Sequence, residues 1–189
     1  QSPAVVVSDD IARAGASDDL VALVEAMGAG VWFEAIRHHS AFPNRHPNAK
    51  DILPVDAAAI RGALHDADLV MLIGGPFFEE VWFTRGAPFP DGSRVIQIEE
   101  SPARLAYNHP LDAGLVGHLP STLRAMAQAL QADSDYQAQA RSRNTALASQ
   151  SVEAHAAYQT RAQRAWDRDP ISMPRVMAEL NAGTPDNAV

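Results

Sequence analysis

Short apolar runs alternate with amphipathic stretches over residues 1–131. Ala4-Val5-Val6-Val7 is a β-branched run bounded by Pro3 and by Ser8-Asp9-Asp10, and it predicts a first strand. Ser17 is a candidate N-cap. Asp18 and Asp19 suit the positive end of a helix, and Leu20, Val21, Leu23, Val24 and Met27 recur at helical spacing up to Gly28. A second strand follows over residues 31–36, which makes a right-handed βαβ unit. The alternation then repeats. Residues 56–67 read as a helix with Ile60 and Leu64 on one stripe, and the continuous apolar run 69–73 reads as a strand covered on both faces. Residues 94–98 and 115–119 predict two more strands. Ser101-Pro102 looks like the capped start of a helix, and residues 121–131 read as a closing helix with Ser121-Thr122 as its cap. This is an α/β pattern: a Rossmann-like open parallel sheet of five to six strands, with helices on both faces.

Two long irregular stretches interrupt the pattern, residues 38–54 and 77–93. The second holds Phe77, Phe78, Trp82, Phe83 and Phe89. Loops of this length in a compact domain either carry function or cover the ends of the sheet. From residue 132 to 169 the chain turns to Ala, Gln, Arg and Ser, which are helix-compatible but polar all round, so outside support is needed. Tyr158, Ala162 and Trp166 form its one apolar stripe. A further helix starts at Ser172, carries Val176, Met177 and Leu180, and ends at Gly183.

The expected organisation is therefore an α/β domain over 1–131, a helical linker over 132–169, and over 170–189 the first helix of a domain whose body lies elsewhere. Gln1 in place of Met fits a piece of a longer protein.

Composition narrows the function classes. The 189 residues carry 15 basic and 23 acidic side chains, a formal charge of −8. The single lysine is Lys50 and no basic run exists, so nucleic acid is not an expected partner. No apolar run reaches the roughly 18 residues of a membrane span, and membrane insertion is not expected. With no cysteine, the chain has no disulfide, thiolate ligand or thiol nucleophile, which fits a cytoplasmic protein.

Candidate chemistry sits in the loops. A dinucleotide fingerprint would place glycines after the first strand, where this chain has Ser8-Asp9-Asp10-Ile11-Ala12. Two carboxylates there would repel a diphosphate. Gly74-Gly75 allows close backbone approach, and a tight turn explains it equally well. His38, His39 and His46 share one loop, near the carboxyl end of the second strand where such sheets bind ligands. They lack metal-ligand spacing, and no metal or cofactor ligand is assigned. Glu79-Glu80 is an adjacent acidic pair of the kind that is usually solvated. Glu99 or Glu100, after the fourth strand, could still meet a ribose, which leaves a nucleotide disfavoured rather than excluded. His46 could bond a backbone carbonyl or serve as an acid/base group, and these residues alone name no reaction.

The loop Phe42-Pro43-Asn44-Arg45-His46-Pro47 resembles the central domain of thiamine-diphosphate-dependent decarboxylases, of the benzoylformate decarboxylase type. The opening Pro3-Ala4-Val5-Val6-Val7, the entry Ala29-Gly30-Val31-Trp32, the run 67–74 and Ile96-Gln97-Ile98 are similar to that family in order and spacing. So are Pro170-Ile171-Ser172-Met173-Pro174 and the stretch 184–189. The resemblance implies a fragment of a 2-oxo-acid decarboxylase. In the intact enzyme the other domains hold thiamine diphosphate and Mg2+, and the partners are further domains and subunits, as a homo-tetramer. The fragment alone would be inactive and would bind neither group. The resemblance aligns His46 with a loop histidine that reaches the active site, where a group titrating near neutrality can protonate the carbon left after decarboxylation. An acetolactate-synthase-like carboligase with FAD on this domain is the alternative, although the acidic turn argues against FAD. A purely structural central domain is the third reading.

Overall fold

The computed structural model describes residues 2–78 and 85–185. It divides into two compact units, Gln1–Ala148 and Ser149–Val189. Glu79, Glu80, Trp82 and Phe83, together with residues 186–189, lie outside the described residues.

The first unit is built on a six-stranded, all-parallel sheet. In chain order the strands are β1 (Pro3–Val7), β2 (Gly30–Phe33), β3 (Ala49–Ile52), β4 (Leu69–Ile73), β5 (Arg94–Glu99) and β6 (Ala113–Val116). Their spatial order is β3-β2-β1-β4-β5-β6. The order reverses between β1 and β4, which run in register from Pro3 beside Leu69 to Val7 beside Ile73. Side chains alternate between the two faces, as the pleat requires. Val5, Val7, Val31, Phe33, Met71, Ile73 and Ile98 pack on one face. The helices α1 (Asp10–Arg13), α2 (Ser17–Met27) and α4 (Leu119–Gln131) cover it with Ile11, Leu20, Leu23, Val24, Leu119 and Leu123. Ala4, Val6, Val70, Leu72 and Val95 face the other way, against α3 (Ala57–Ala63), Leu53, and the aromatics Phe77, Phe78 and Phe89. These three phenylalanines are core residues. Phe78 and Phe89 stack edge-on with each other at 5.6 Å and with His109 at 5.6 and 5.4 Å.

The α/β class, the parallel sheet and helices on both faces match the sequence reading. Several details differ. The sixth strand is β3, inside the stretch 38–54 read as irregular. Its residues Ala49-Lys50-Asp51-Ile52 form a mostly exposed edge, so they carry neither alternation nor an apolar run. β2 stops at Phe33 because Glu34 turns back: its carboxylate accepts the N–H of Ala35 at 3.0 Å and of Phe78 at 3.2 Å. The last strand begins at Ala113, earlier than expected, and Leu119 already belongs to α4. Ser121 is therefore inside the first turn, where its hydroxyl donates to the His118 carbonyl at 3.1 Å. Ser101-Pro102 opens only a three-residue 3-10 turn, and neither Ser101 nor Ser17 caps a helix through its side chain. Asp56 does cap α3, accepting from the Ala59 N–H at 2.9 Å.

The helix α5 (Ser134–Arg164) is long and polar, and its outside support is visible in its first half. The last carbonyls of a helix have no partner within it. Those of α2 are taken by α5 side chains. Asn144 Nδ2 donates to Glu25 O at 2.9 Å, Gln137 Nε2 to Ala26 O at 2.9 Å, and Arg143 Nη2 and Tyr136 OH to Met27 O at 2.7 and 3.3 Å. Beyond the α2 terminus, Gly28 adopts φ +63° with Ala140 of α5 directly against it. In the second unit, α6 (Met173–Gly183) carries Arg175, which lies over the Trp166 ring at 5.6 Å. Val176 is half-buried, whereas Met177 and Leu180 are exposed.

Candidate functional site

The sheet's switch point, between the carboxyl ends of β1 and β4, is where open α/β sheets bind ligands. Here that crevice is filled by the chain's own carboxylates. Asp9, only 6% exposed, accepts the N–H groups of His38 at 2.9 Å and His39 at 2.9 Å. The His38 ring lies 3.2 Å from the same carboxylate. Burial pushes the Asp9 carboxyl up, but the backbone bonds from His39 and His38 outweigh it, and the group is lowered to about 2.

Glu99 is fully buried at the end of β5. It accepts from Gly75 N at 3.2 Å and Gln97 Nε2 at 3.0 Å. Arg104 lies 3.2 Å from its second oxygen, as an ion pair rather than an aligned hydrogen bond, and also bonds Asp10. Burial raises the Glu99 carboxyl above its ordinary range, with the Gln97 bond and the Arg104 charge opposing. Gly74-Gly75 is a tight turn: a Cβ on Gly75 would lie 2.7 Å from the Ser8 side chain.

This arrangement does not suit a diphosphate. The backbone donors that would cradle one are spent on Asp9, Glu34 and Glu99. Of the two acids considered for a ribose, Glu99 is buried, and Glu100 is exposed and accepts the Leu119 N–H at 2.9 Å, at the start of α4. Among the described residues no group of three His, Asp or Glu side chains could hold a metal ion. Among the described residues, then, the switch point does not suit a nucleotide diphosphate and no cluster suits Mg2+.

The three loop histidines are divided by the structure. His38 and His39 stay at the carboxyl ends, held by Asp9, whereas His46 sits at the opposite, amino-end rim. Asn48, two residues on, accepts the N–H of Val31 at 2.8 Å, where β2 begins. The His46 side chain is 14% exposed. Its ring stands edge-on to Phe42 at 4.9 Å. Nδ1 accepts the Asn48 backbone N–H at 3.1 Å, and Nε2 faces Glu25 Oε1 at 3.3 Å. Asn48 is itself buried, with Nδ2 donating to Ala29 O at 2.9 Å and to Asn144 Oδ1 at 2.8 Å. The end of α2, the His46 loop and α5 are thereby tied together. Sequence reasoning singled out His46 but not Glu25, Asn48 or Asn144. Glu25 reads as a solvated helix face, and the asparagines meet only in the fold.

A family model described as "Thiamine pyrophosphate enzyme, central domain" matches residues 1–126. The chain belongs to that family. As a thiamine pyrophosphate enzyme central domain it has relatives in which this sheet is one part of a longer chain. Benzoylformate decarboxylase of Pseudomonas aeruginosa is 29% identical over 128 residues, covering 68% of this chain and 24% of that one. The solved thiamine diphosphate-dependent 4-hydroxybenzoylformate decarboxylase of Rhodococcus jostii RHA1 superposes with a TM-score of 0.64 at 28% identity, over 69% of this chain and 24% of its own. Benzoylformate decarboxylase from Polynucleobacter necessarius gives a TM-score of 0.63 at 25% identity, over 68% and 24% of the two chains. The chain thus spans about a quarter of the length of the relatives it matches.

Proposed function

We propose that this chain is the central part of a thiamine-diphosphate-dependent 2-oxo-acid decarboxylase of the benzoylformate type, and that His46 is its direct contribution to the active site. Membership of the central-domain family and the named decarboxylase relatives support the reaction class. The observation that carries the His46 assignment is its ordering: a rim imidazole with both nitrogens and one ring face held by named partners, within the matched segment.

In this reading residues 1–131 are the central domain, 132–169 the linker and 170–189 the start of a cofactor-binding domain. Thiamine diphosphate and Mg2+ belong to the other domains in this reading, as the family membership suggests. The intact enzyme is placed in the cytoplasm as a homo-tetramer acting on a 2-oxo acid. The carboxylate-filled switch point and the decarboxylase relatives favour this over a FAD-carrying carboligase. Adding FAD to the chain is expected to leave flavin fluorescence unquenched; tight, saturable quenching would overturn that preference.

The functional test uses the complete enzyme supplied with thiamine diphosphate and Mg2+. Release of CO2 from benzoylformate is expected, with His46→Ala lowering kcat by about 100-fold, the lower end of what a positioned acid/base or donor group contributes. Unchanged turnover in His46→Ala would make this domain a spacer.

A further inference from the structure

The two edges of the sheet are protected unequally. β3 closes one side with Lys50 and Asp51 on the strand, and its register against β2 shifts between Val31 and Phe33. Charges and irregularities of that kind keep an edge from pairing with another chain. β6 closes the other side with Ala113-Gly114-Leu115-Val116, which carries neither charge nor proline. All four residues are exposed, Leu115 at 38% and Val116 at 49%. Leu105 occupies part of one face, where a Cβ on Gly114 would lie 2.8 Å from its side chain. The outer edge is open. Among the described residues β6 pairs with β5 alone, so its outward N–H and C=O groups have no strand beside them.

The ends of this strand select the partner. Asp112 stands three residues before Leu115, and His118 three after it. Asp112 Oδ2 accepts the Val95 N–H at 2.7 Å, and His118 Nδ1 lies 3.2 Å from Ser121 Oγ. Asp112 Oδ1 and His118 Nε2 are left without a partner among the described residues. If two copies of β6 run antiparallel with Leu115 opposite Leu115, each Asp112 falls opposite the His118 of the other copy. The edge is then complementary to itself about a two-fold axis. Elsewhere a formal charge of −8 sets two copies against each other, and the uncharged run 113–117 is where they can approach.

We propose that the outer edge of β6 joins two copies of this chain, antiparallel and centred on Leu115, into one continuous sheet. Backbone hydrogen bonds and the Leu115 pair hold the edges together, and the two Asp112–His118 pairs set the register. The proposal stands on the edge alone and does not depend on the reaction assigned above.

Sedimentation equilibrium of this chain is expected to show a reversible monomer–dimer equilibrium. Leu115→Lys sets two cations against each other at the axis, and His118→Glu sets a carboxylate against Asp112 at both ends. Each is expected to weaken the dimer about tenfold. Both positions are exposed, so circular dichroism should show the fold unchanged. Leu115→Cys gives the chain a single thiol and is expected to form a disulfide-linked dimer on mild oxidation. A dimer weakened by Leu115→Lys alone keeps the edge and overturns the register. A chain that stays monomeric at every concentration, assembles beyond a dimer, or forms a dimer that Leu115→Lys leaves intact overturns the proposal.

Discussion

Replacing Gly28 by alanine is expected to destabilise the α/β unit by about 3 kcal/mol, from two separable sources. The first is conformational. Gly28 follows α2 with φ +63°, and a Cβ in the left-handed region costs about 1 kcal/mol or more. The second is steric. The new Cβ would lie 2.6 Å from the Ala140 carbonyl oxygen and 2.9 Å from its Cα. Both are backbone atoms of a helix and cannot rotate aside, so α5 must move, and forced overpacking of this kind costs about 1–3 kcal/mol. Gly15 provides the control, because it has φ +65° with nothing within 4 Å of its Cβ position. Gly15→Ala should show the conformational cost alone, about 1 kcal/mol. Urea unfolding of the two variants reads the difference directly, and equal losses would mean that the Gly28–Ala140 contact does not constrain the fold. Because Asn144 lies on the same helix, Gly28→Ala should also loosen Asn48 and the His46 loop.

Much of this architecture is legible in the sequence, for reasons that can be stated residue by residue. β1 and β4 are continuous apolar runs because both faces of the central strands are covered, and α2 shows its buried stripe because it lies on the sheet. β3 is not legible, since an edge strand of Ala49-Lys50-Asp51-Ile52 buries too little to leave a pattern. The acidic turn after β1 is legible as a pair of carboxylates at the switch point. It could not reveal that Asp9 serves as the internal anion for the amides of His38 and His39, whose meeting spans 29 and 30 residues. The brace around His46 is harder still. Glu25, Asn48 and Asn144 come from three elements, and no local rule connects them. The polar face of α5 looked unsupported in the sequence because its partners are carbonyl groups at the end of α2, and backbone acceptors leave no trace in residue type.

Removing the internal anion has the second large consequence, and its pH dependence has a definite sign. Asp9→Ala strips the acceptor from the N–H groups of His38 and His39 and breaks the contacts to the His38 ring and to Arg13. Hydrogen bonds to a charged acceptor are worth about 1.5–3 kcal/mol each, and His38 and His39 are exposed enough for water to replace part of that, so a net loss of about 3 kcal/mol is expected. Asp9→Asn keeps one acceptor oxygen and should lose less. In the parent chain the Asp9 carboxyl is lowered from 3.8 to about 2. A lowered carboxyl contributes stability above its unfolded value and loses it as pH falls through its folded value, here about 2 kcal/mol between roughly pH 4 and pH 2. Glu99, raised by burial, acts in the opposite sense: its protonation favours the folded state as pH falls. Stability measured by urea unfolding down this range should therefore drop more steeply in the parent than in Asp9→Ala, where only the opposing contribution remains. Parallel curves for the two proteins would show that Asp9 does not hold the carboxyl end of the sheet through its charge.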